Sequence, residues 1–238
     1  MSRKKKIARG RPSEERTCRA LPANAKAFRR RLLIWYGRHQ RPLPWRRTRD
    51  PYAILVSEIM LQQTQVSRVE DYWTRFLRQY PTVDDLASAS SDAVHDSWAG
   101  LGYYARARNL HAAAKEVVRD HGSRFPADPD ALRKLPGIGR YTAAAVASIA
   151  FGADVGTVDT NVARVLARVF KIRGRKKSAA RERRTWALVN ALVPRGRAGD
   201  WNQALMDLGA TICTERTPRC GACPVKPACR YAPMKPAL

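Results

Sequence analysis

The sequence predicts an all-α fold, on three observations. Apolar residues recur at three- and four-residue spacing through most of the chain beyond residue 24, the two-residue alternation of strands is missing, and helix-starting residues precede the periodic stretches. With 238 residues of 45% apolar composition, the chain can bury a core as one domain or as two lobes sharing a groove. Disorder as the main state is excluded.

The elements follow in order. Asn24 is placed to cap a helix through Tyr36, and Asp50 with Pro51 forms a cap and first-turn pair opening a helix to about Gln62. Amphipathic stretches follow near 66–79, 91–98, 103–120 and 128–134, and helical periodicity returns at 140–150. It continues at 159–171, where Val162, Val165, Leu166 and Val169 share a face, and at 179–193 and 200–211. The chain shows no internal repeat.

Forty-five Lys and Arg against 20 Asp and Glu leave a net charge of +25. A compact chain so charged repels itself unless its partner is a polyanion, and nucleic acid is the leading candidate. Residues 1–23 read as a flexible basic arm, either a solubilising tail or a nonspecific attractor of DNA. Charge is not confined there: residues 1–31 carry +10 and the rest +15. No run approaches 18 apolar residues, and no apolar segment follows the basic start, so no membrane span or conventional secretory signal is expected. The expectation is a cytoplasmic, nucleoid-associated monomer.

Leu135-Pro-Gly-Ile-Gly-Arg-Tyr-Thr142 separates two helical patterns. Gly137 and Gly139 let the backbone turn tightly beside a ligand, and the amides opening the next helix, with Arg140, suit a phosphate oxygen. An ordinary helix-to-helix turn would use the same residues, and the net charge favours phosphate.

Cys213, Cys220, Cys223 and Cys229 form C-x6-C-x2-C-x5-C within seventeen residues. Four soft thiolates suit zinc or an iron-sulfur cluster, and chemistry alone leaves both open. Arg216, Arg219 and Lys226, between the ligands, would face a phosphate backbone. Cys18 reads as an uninvolved thiol.

Two carboxylates could do chemistry. Glu58 shares a predicted helix face with Ile54, Leu55, Leu61 and Gln62, and desolvation there would keep it protonated, as a general acid requires. A buried ion pair with an arginine is the alternative. Asp159 stands at a helix start, where capping and stabilisation of a sugar cation are compatible roles.

The 135–143 segment resembles the helix-hairpin-helix element of the endonuclease III superfamily of DNA glycosylases, in which an aspartate follows about twenty residues later, as Asp159 does here. The cysteine spacing resembles that superfamily's [4Fe-4S] loop, which implies a cluster of mainly structural role. Residues 25–231 further resemble the A/G-mismatch adenine-DNA glycosylase family, through LPWR at 43–46, SEIMLQQTQV at 57–66, GLGYYARARNL at 100–110 and WNQALMDLGATIC at 201–213. The resemblance implies two interleaved helical lobes over 24–212 with the active site in their groove, a cluster loop at 213–229 and a tail at 230–238.

It also implies roles. Glu58 would protonate N7 of an extruded adenine, and Asp159 would stabilise the sugar cation or attack it transiently. Tyr141 and Asn161 match supporting active-site positions. Gln63 would insert beside the extruded base and Tyr103 would wedge next to the opposite guanine, with Trp45, Arg46 and Gln203 as further pocket candidates. The superfamily's strand-cleaving members carry a Schiff-base lysine where Tyr141 stands, and a phenol forms no imine, so a monofunctional glycosylase acting on mismatched double-stranded DNA is expected. Family members normally continue into a Nudix-like domain that helps identify 8-oxoguanine, and this chain ends nine residues after Cys229. A thymine or uracil mismatch glycosylase of the same superfamily is the alternative enzyme, and a non-enzymatic DNA-binding module the alternative class.

Overall fold

The computed structural model describes residues 21–175 and 178–231. The arm through residue 20, with Cys18, and the tail from 232 lie outside the described residues. Among these residues there are eleven α-helices and no strand, as the periodicity predicts. They are α1 (Ala25–His39), α2 (Pro51–Met60), α3 (Val66–Gln79), α4 (Val83–Ser88), α5 (Ser91–Ser97), α6 (Ala105–His121), α7 (Pro129–Leu132), α8 (Arg140–Ala150), α9 (Thr160–Phe170), α10 (Ala179–Leu192) and α11 (Ala198–Thr211). Single 3₁₀ turns at Pro44–Arg46, Cys220–Ala222 and Lys226–Ala228 complete the secondary structure.

Local chemistry sets the helix starts. The Asp50 carboxylate accepts from the Tyr52 and Ala53 amides ahead of Pro51, and Asp159 accepts from the Val162 amide. α4 escaped the periodicity reading because six residues carry too little pattern; its signal is the reciprocal capping box of Thr82 and Asp85. Asn24 does occupy the α1 cap position, but its amide is diverted, donating to the Ala228 carbonyl at 2.6 Å. Helix α2 ends at Met60, two residues short of Gln62, and Tyr52 through Met60 are all buried. Glu58 therefore sits in a helix enclosed on every side and not in an apolar stripe beside a polar face.

Two apolar cores divide the molecule. One packs α2 to α7 around Leu55, Met60, Phe76, Trp98 and Leu110. The other joins α1 to α9, α10 and α11 around Phe28, Leu32, Leu166 and Trp201, and extends to Val225 and Ala228 beside the cysteines. The chain thus leaves α1 for the first lobe and returns to the second, so α1 and the cysteine loop share a lobe. Helix α8 is the shared wall: Ala143, Val146 and Ala147 face the first core and Ala144 the second. Asn202 ties the α8–α9 connection to α11, donating to Ser148 Oγ and the Val155 carbonyl and accepting from the Thr157 amide. This loop delivers Asp159.

Candidate active site between the lobes

Glu58 is 6% exposed and lines a pocket of about 460 Å³, counted to its open mouth, with Trp45, Arg46, Tyr141 and Gln203. Burial pushes its carboxyl up to about 7; the Tyr141 phenol pulls against that shift and the Asp159 charge adds to it. Tyr141 also points its hydroxyl at Met206 Sδ, 3.2 Å away. The expected alternative of a buried Glu58–arginine pair is not what forms. Arg46 is held two-pronged by Asp207, at 2.6 and 2.8 Å, and Arg41 Nε reaches the same carboxylate at 2.5 Å. Asp207 is fully buried and bonds both cations, so Glu58 has no arginine bonded to it, and Arg46 lowers its carboxyl only through its charge.

Asp159 has the opposite surroundings. It is half-buried, and accepts from the Val162 amide at 2.6 Å and from Asn161 Nδ2 at 2.9 Å. Asn161 is fixed in turn by Arg164, whose Nη2 donates to Asn161 Oδ1 and to the Gly209 carbonyl. Gly209 is required there, because a Cβ would lie 2.5 Å from that of Asn161. One carboxyl is thus enclosed and uncompensated, while its neighbour is anchored at a helix start by donated hydrogen bonds.

Of the residues singled out in the sequence, Trp45, Arg46, Glu58, Tyr141 and Gln203 line one pocket. Asp159 and Asn161 do not line it, but the Asp159 charge is near enough to raise both Glu58 and Tyr141, and Asn161 donates to Asp159. Trp45 is also a core residue, edge-on to Trp73, so packing and pocket roles coincide. Gln63 and Tyr103 are exposed on separate turns. Sequence reasoning missed Arg41, Met206 and Asp207. The available signal was Asp207 itself, an acid interrupting the apolar run from Ala204 to Leu208.

At the hairpin, Gly137 has φ +72°, and a Cβ would meet Asn109 Cβ at 2.5 Å, so only glycine fits. Gly139 precedes α8 with no side-chain cap, leaving the first-turn amides facing outward. Arg140 is exposed and stacks over Trp186, 4.0 Å from the ring centre.

The four cysteines line one small cavity, floored by Val165, Val169, Leu208, Ile212 and Val225. Among the described residues, no three His, Cys, Asp or Glu side chains stand close enough to share one metal ion. Arg168 Nη1 donates to Cys213 Sγ at 3.3 Å and to the Thr214 carbonyl. Arg219 donates to the Thr211 carbonyl, so this cation braces the loop.

No helix among the described residues is long and apolar enough to cross a membrane. Residues 56–191 match the family described as "HhH-GPD superfamily base excision DNA repair protein". The chain is 49% identical over 217 residues to a human adenine DNA glycosylase, covering 87% of this chain and 40% of that one. It is 45% identical over 201 residues to an adenine DNA glycosylase of Mycolicibacterium smegmatis, covering 84% and 68%. Among solved structures, a thermostable thymine-DNA glycosylase superposes with a TM-score of 0.81 at 34% identity, covering 87% of this chain and 96% of that one. The chain spans less than half the length of the human relative. A family match over most of the chain, on a fold whose two lobes enclose a buried acid and a capped aspartate, places this protein in the HhH-GPD superfamily of base excision DNA repair proteins.

Proposed function

We propose that this protein is a monofunctional adenine-DNA glycosylase, which binds double-stranded DNA, extrudes adenine paired with guanine or 8-oxoguanine, and hydrolyses its N-glycosidic bond. The observation that carries the reading is the buried Glu58 carboxyl lining the pocket, raised to about 7 by its burial, with the Asp159 charge near enough to add to that shift. Glu58 donates its proton to adenine N7, the C1′–N9 bond breaks, and the electron pair leaves with the base. The Asp159 carboxylate stabilises the resulting sugar cation. Water then adds to C1′ and its proton restores Glu58, leaving an abasic site and free adenine.

Gln203, Trp45 and Arg46 shape the pocket for a flat heterocycle, and the fixed Arg46–Asp207 pair excludes a direct salt bridge to Glu58. Tyr141, standing where a lyase needs an amine, holds Glu58 and leaves the strand uncut. Gln63 and Tyr103 fill the stack vacated by the base, while Gly137, Gly139, Arg140 and the amides opening α8 hold a phosphate.

The donor set suits a [4Fe-4S] cluster held by Cys213, Cys220, Cys223 and Cys229. Zinc held by the same four thiolates is the alternative, since all four line one shared cavity. When bound, the cluster supplies a rigid cross-link for the loop that packs on α9 and α11, and the Arg168 donation to Cys213 offsets thiolate charge. Chemical assay of iron and sulfide in purified protein separates this from zinc.

The thymine-DNA glycosylase likeness keeps thymine or uracil excision as the second reading. Incubation with A:G, A:8-oxoguanine, T:G and U:G duplexes, followed by hot alkali, decides between them. Breakage of the adenine strands alone supports the proposal, and breakage confined to T:G and U:G rejects it. Breakage before alkali contradicts the monofunctional assignment.

A further inference from the structure

Of the four described non-glycine residues with left-handed backbone, Gln63 at φ +58° and Tyr103 at φ +51° are exposed on turns of the first lobe. Each conformation is unfavourable for an L-residue and persists only where the surroundings enforce it. The two turns are separate in sequence, one closing α2 and the other opening α6. A single buried side chain serves both.

Arg106, in the first turn of α6, is 8% exposed. Its Nη1 donates to the carbonyls of Ile59, Met60 and Gln62, at 3.0, 2.8 and 2.5 Å. Its Nη2 donates to Thr64 Oγ1 at 3.1 Å and to the carbonyls of Leu101 and Gly102, at 3.2 and 3.0 Å. The acceptors thus flank Gln63 on both sides and immediately precede Tyr103. The same guanidinium lies 5.4 Å from the Tyr103 ring centre and 5.5 Å from that of Trp98. It also satisfies carbonyls at the C-terminal end of α2, the helix that carries Glu58, where a cation is favoured.

We propose that Arg106 is a positioning residue that fastens the Gln63 turn to the Tyr103 turn, so that both side chains enter a duplex as one preset wedge. The proposal rests on the glycosylase reading above, which gives Gln63 and Tyr103 their place in DNA. A planar fork is needed, because Nη1 holds the Gln63 turn while Nη2 spans from Thr64 to the Tyr103 turn; a lysine ammonium keeps the charge but cannot hold both. Arg106 has no part in proton transfer, and its effect is on extrusion.

The test is the single-turnover rate of Arg106→Lys on two duplexes, one with adenine opposite guanine and one with adenine opposite a tetrahydrofuran abasic analogue. In the second duplex the target is already unpaired and no opposite base needs a wedge. The expected result is a fall of about 100-fold on the first duplex and little change on the second. Equal falls on both would mean general structural damage and overturn the proposal, as would no fall on either while the unaltered protein is active. An unaltered protein inert on both duplexes overturns the activity reading itself, and this role with it. Should Arg106→Lys fail to fold by thermal melting, a double-mutant cycle of Gln63→Ala and Tyr103→Ala gives the decision. Fastened turns predict non-additive losses, and additive losses overturn the proposal.

Discussion

Helices α2 and α9 both begin with a capping aspartate and both bring a carboxylate to the same groove, yet they do so in opposite ways. Glu58 lies eight residues into α2, in a helix buried on all sides, and its nearest arginine is bound to Asp207. Asp159 is itself the cap of α9, half-buried, receiving hydrogen bonds from Val162 and Asn161. The two environments suit the same functional group to the two roles proposed for it, proton donor in one place and cation stabiliser in the other. Asp207, which touches neither carboxylate's proposed chemistry, sets the difference by taking the cations.

The largest effect expected from breaking this contrast is at the acid. Glu58→Gln keeps shape and removes the proton, and single-turnover base release should fall by about 10²–10⁴. It should also stabilise the fold at high pH. Burial raises the folded carboxyl to about 7 from about 4.5 in the exposed, unfolded chain, so its favourable contribution is complete below about 4.5 and lost as pH rises through 7. At pH 8 the buried charge costs about 3 kcal/mol. Glu58→Gln should therefore raise the melting midpoint at pH 8 and leave it unchanged at pH 4.

Asp159→Asn should lower base release by about 10²–10³ while duplex affinity persists and stability barely moves, because asparagine also caps helices. A matched loss of affinity would assign Asp159 to binding alone. Asp207→Asn sharpens the comparison from outside: it leaves two partly buried guanidiniums uncompensated, costing about 3 kcal/mol in denaturant melts. The freed Arg46 should then turn to Glu58 and shift the alkaline limb of the rate profile to lower pH. Smallest is Asp50→Ala, which removes the cap of α2 for about 1 kcal/mol without changing the pH dependence of the rate.

How much of this was legible in the sequence differs by element. Long helices such as α3, α8 and α11 declare themselves by periodicity within a residue or two of their observed ends, because their buried faces repeat. α4 does not, since six residues hold barely more than one turn and its capping box carries the signal. Asp50 and Asp159 read correctly as caps, a local interaction within three residues. Asn24 read correctly as the cap position of α1 but not as a capping bond, because its side chain donates to the Ala228 carbonyl, 204 residues away. The same limit hid Asp207: Glu58 could be recognised as a buried acid, but which arginine it would or would not meet depends on α11 docking beside the 3₁₀ turn at Pro44–Arg46. The cysteine spacing predicted a shared site, and the convergence of Arg164 and Arg168 on Cys213 could be seen only in three dimensions.

The most direct test is the single-turnover rate of adenine release from an A:G duplex between pH 5.5 and 9. An acid that must be protonated, with its carboxyl raised to about 7 by burial, predicts a plateau below that value and a tenfold loss per pH unit above it. A rate that stays level across the range, or climbs with pH, would contradict a protonated Glu58 as the donor.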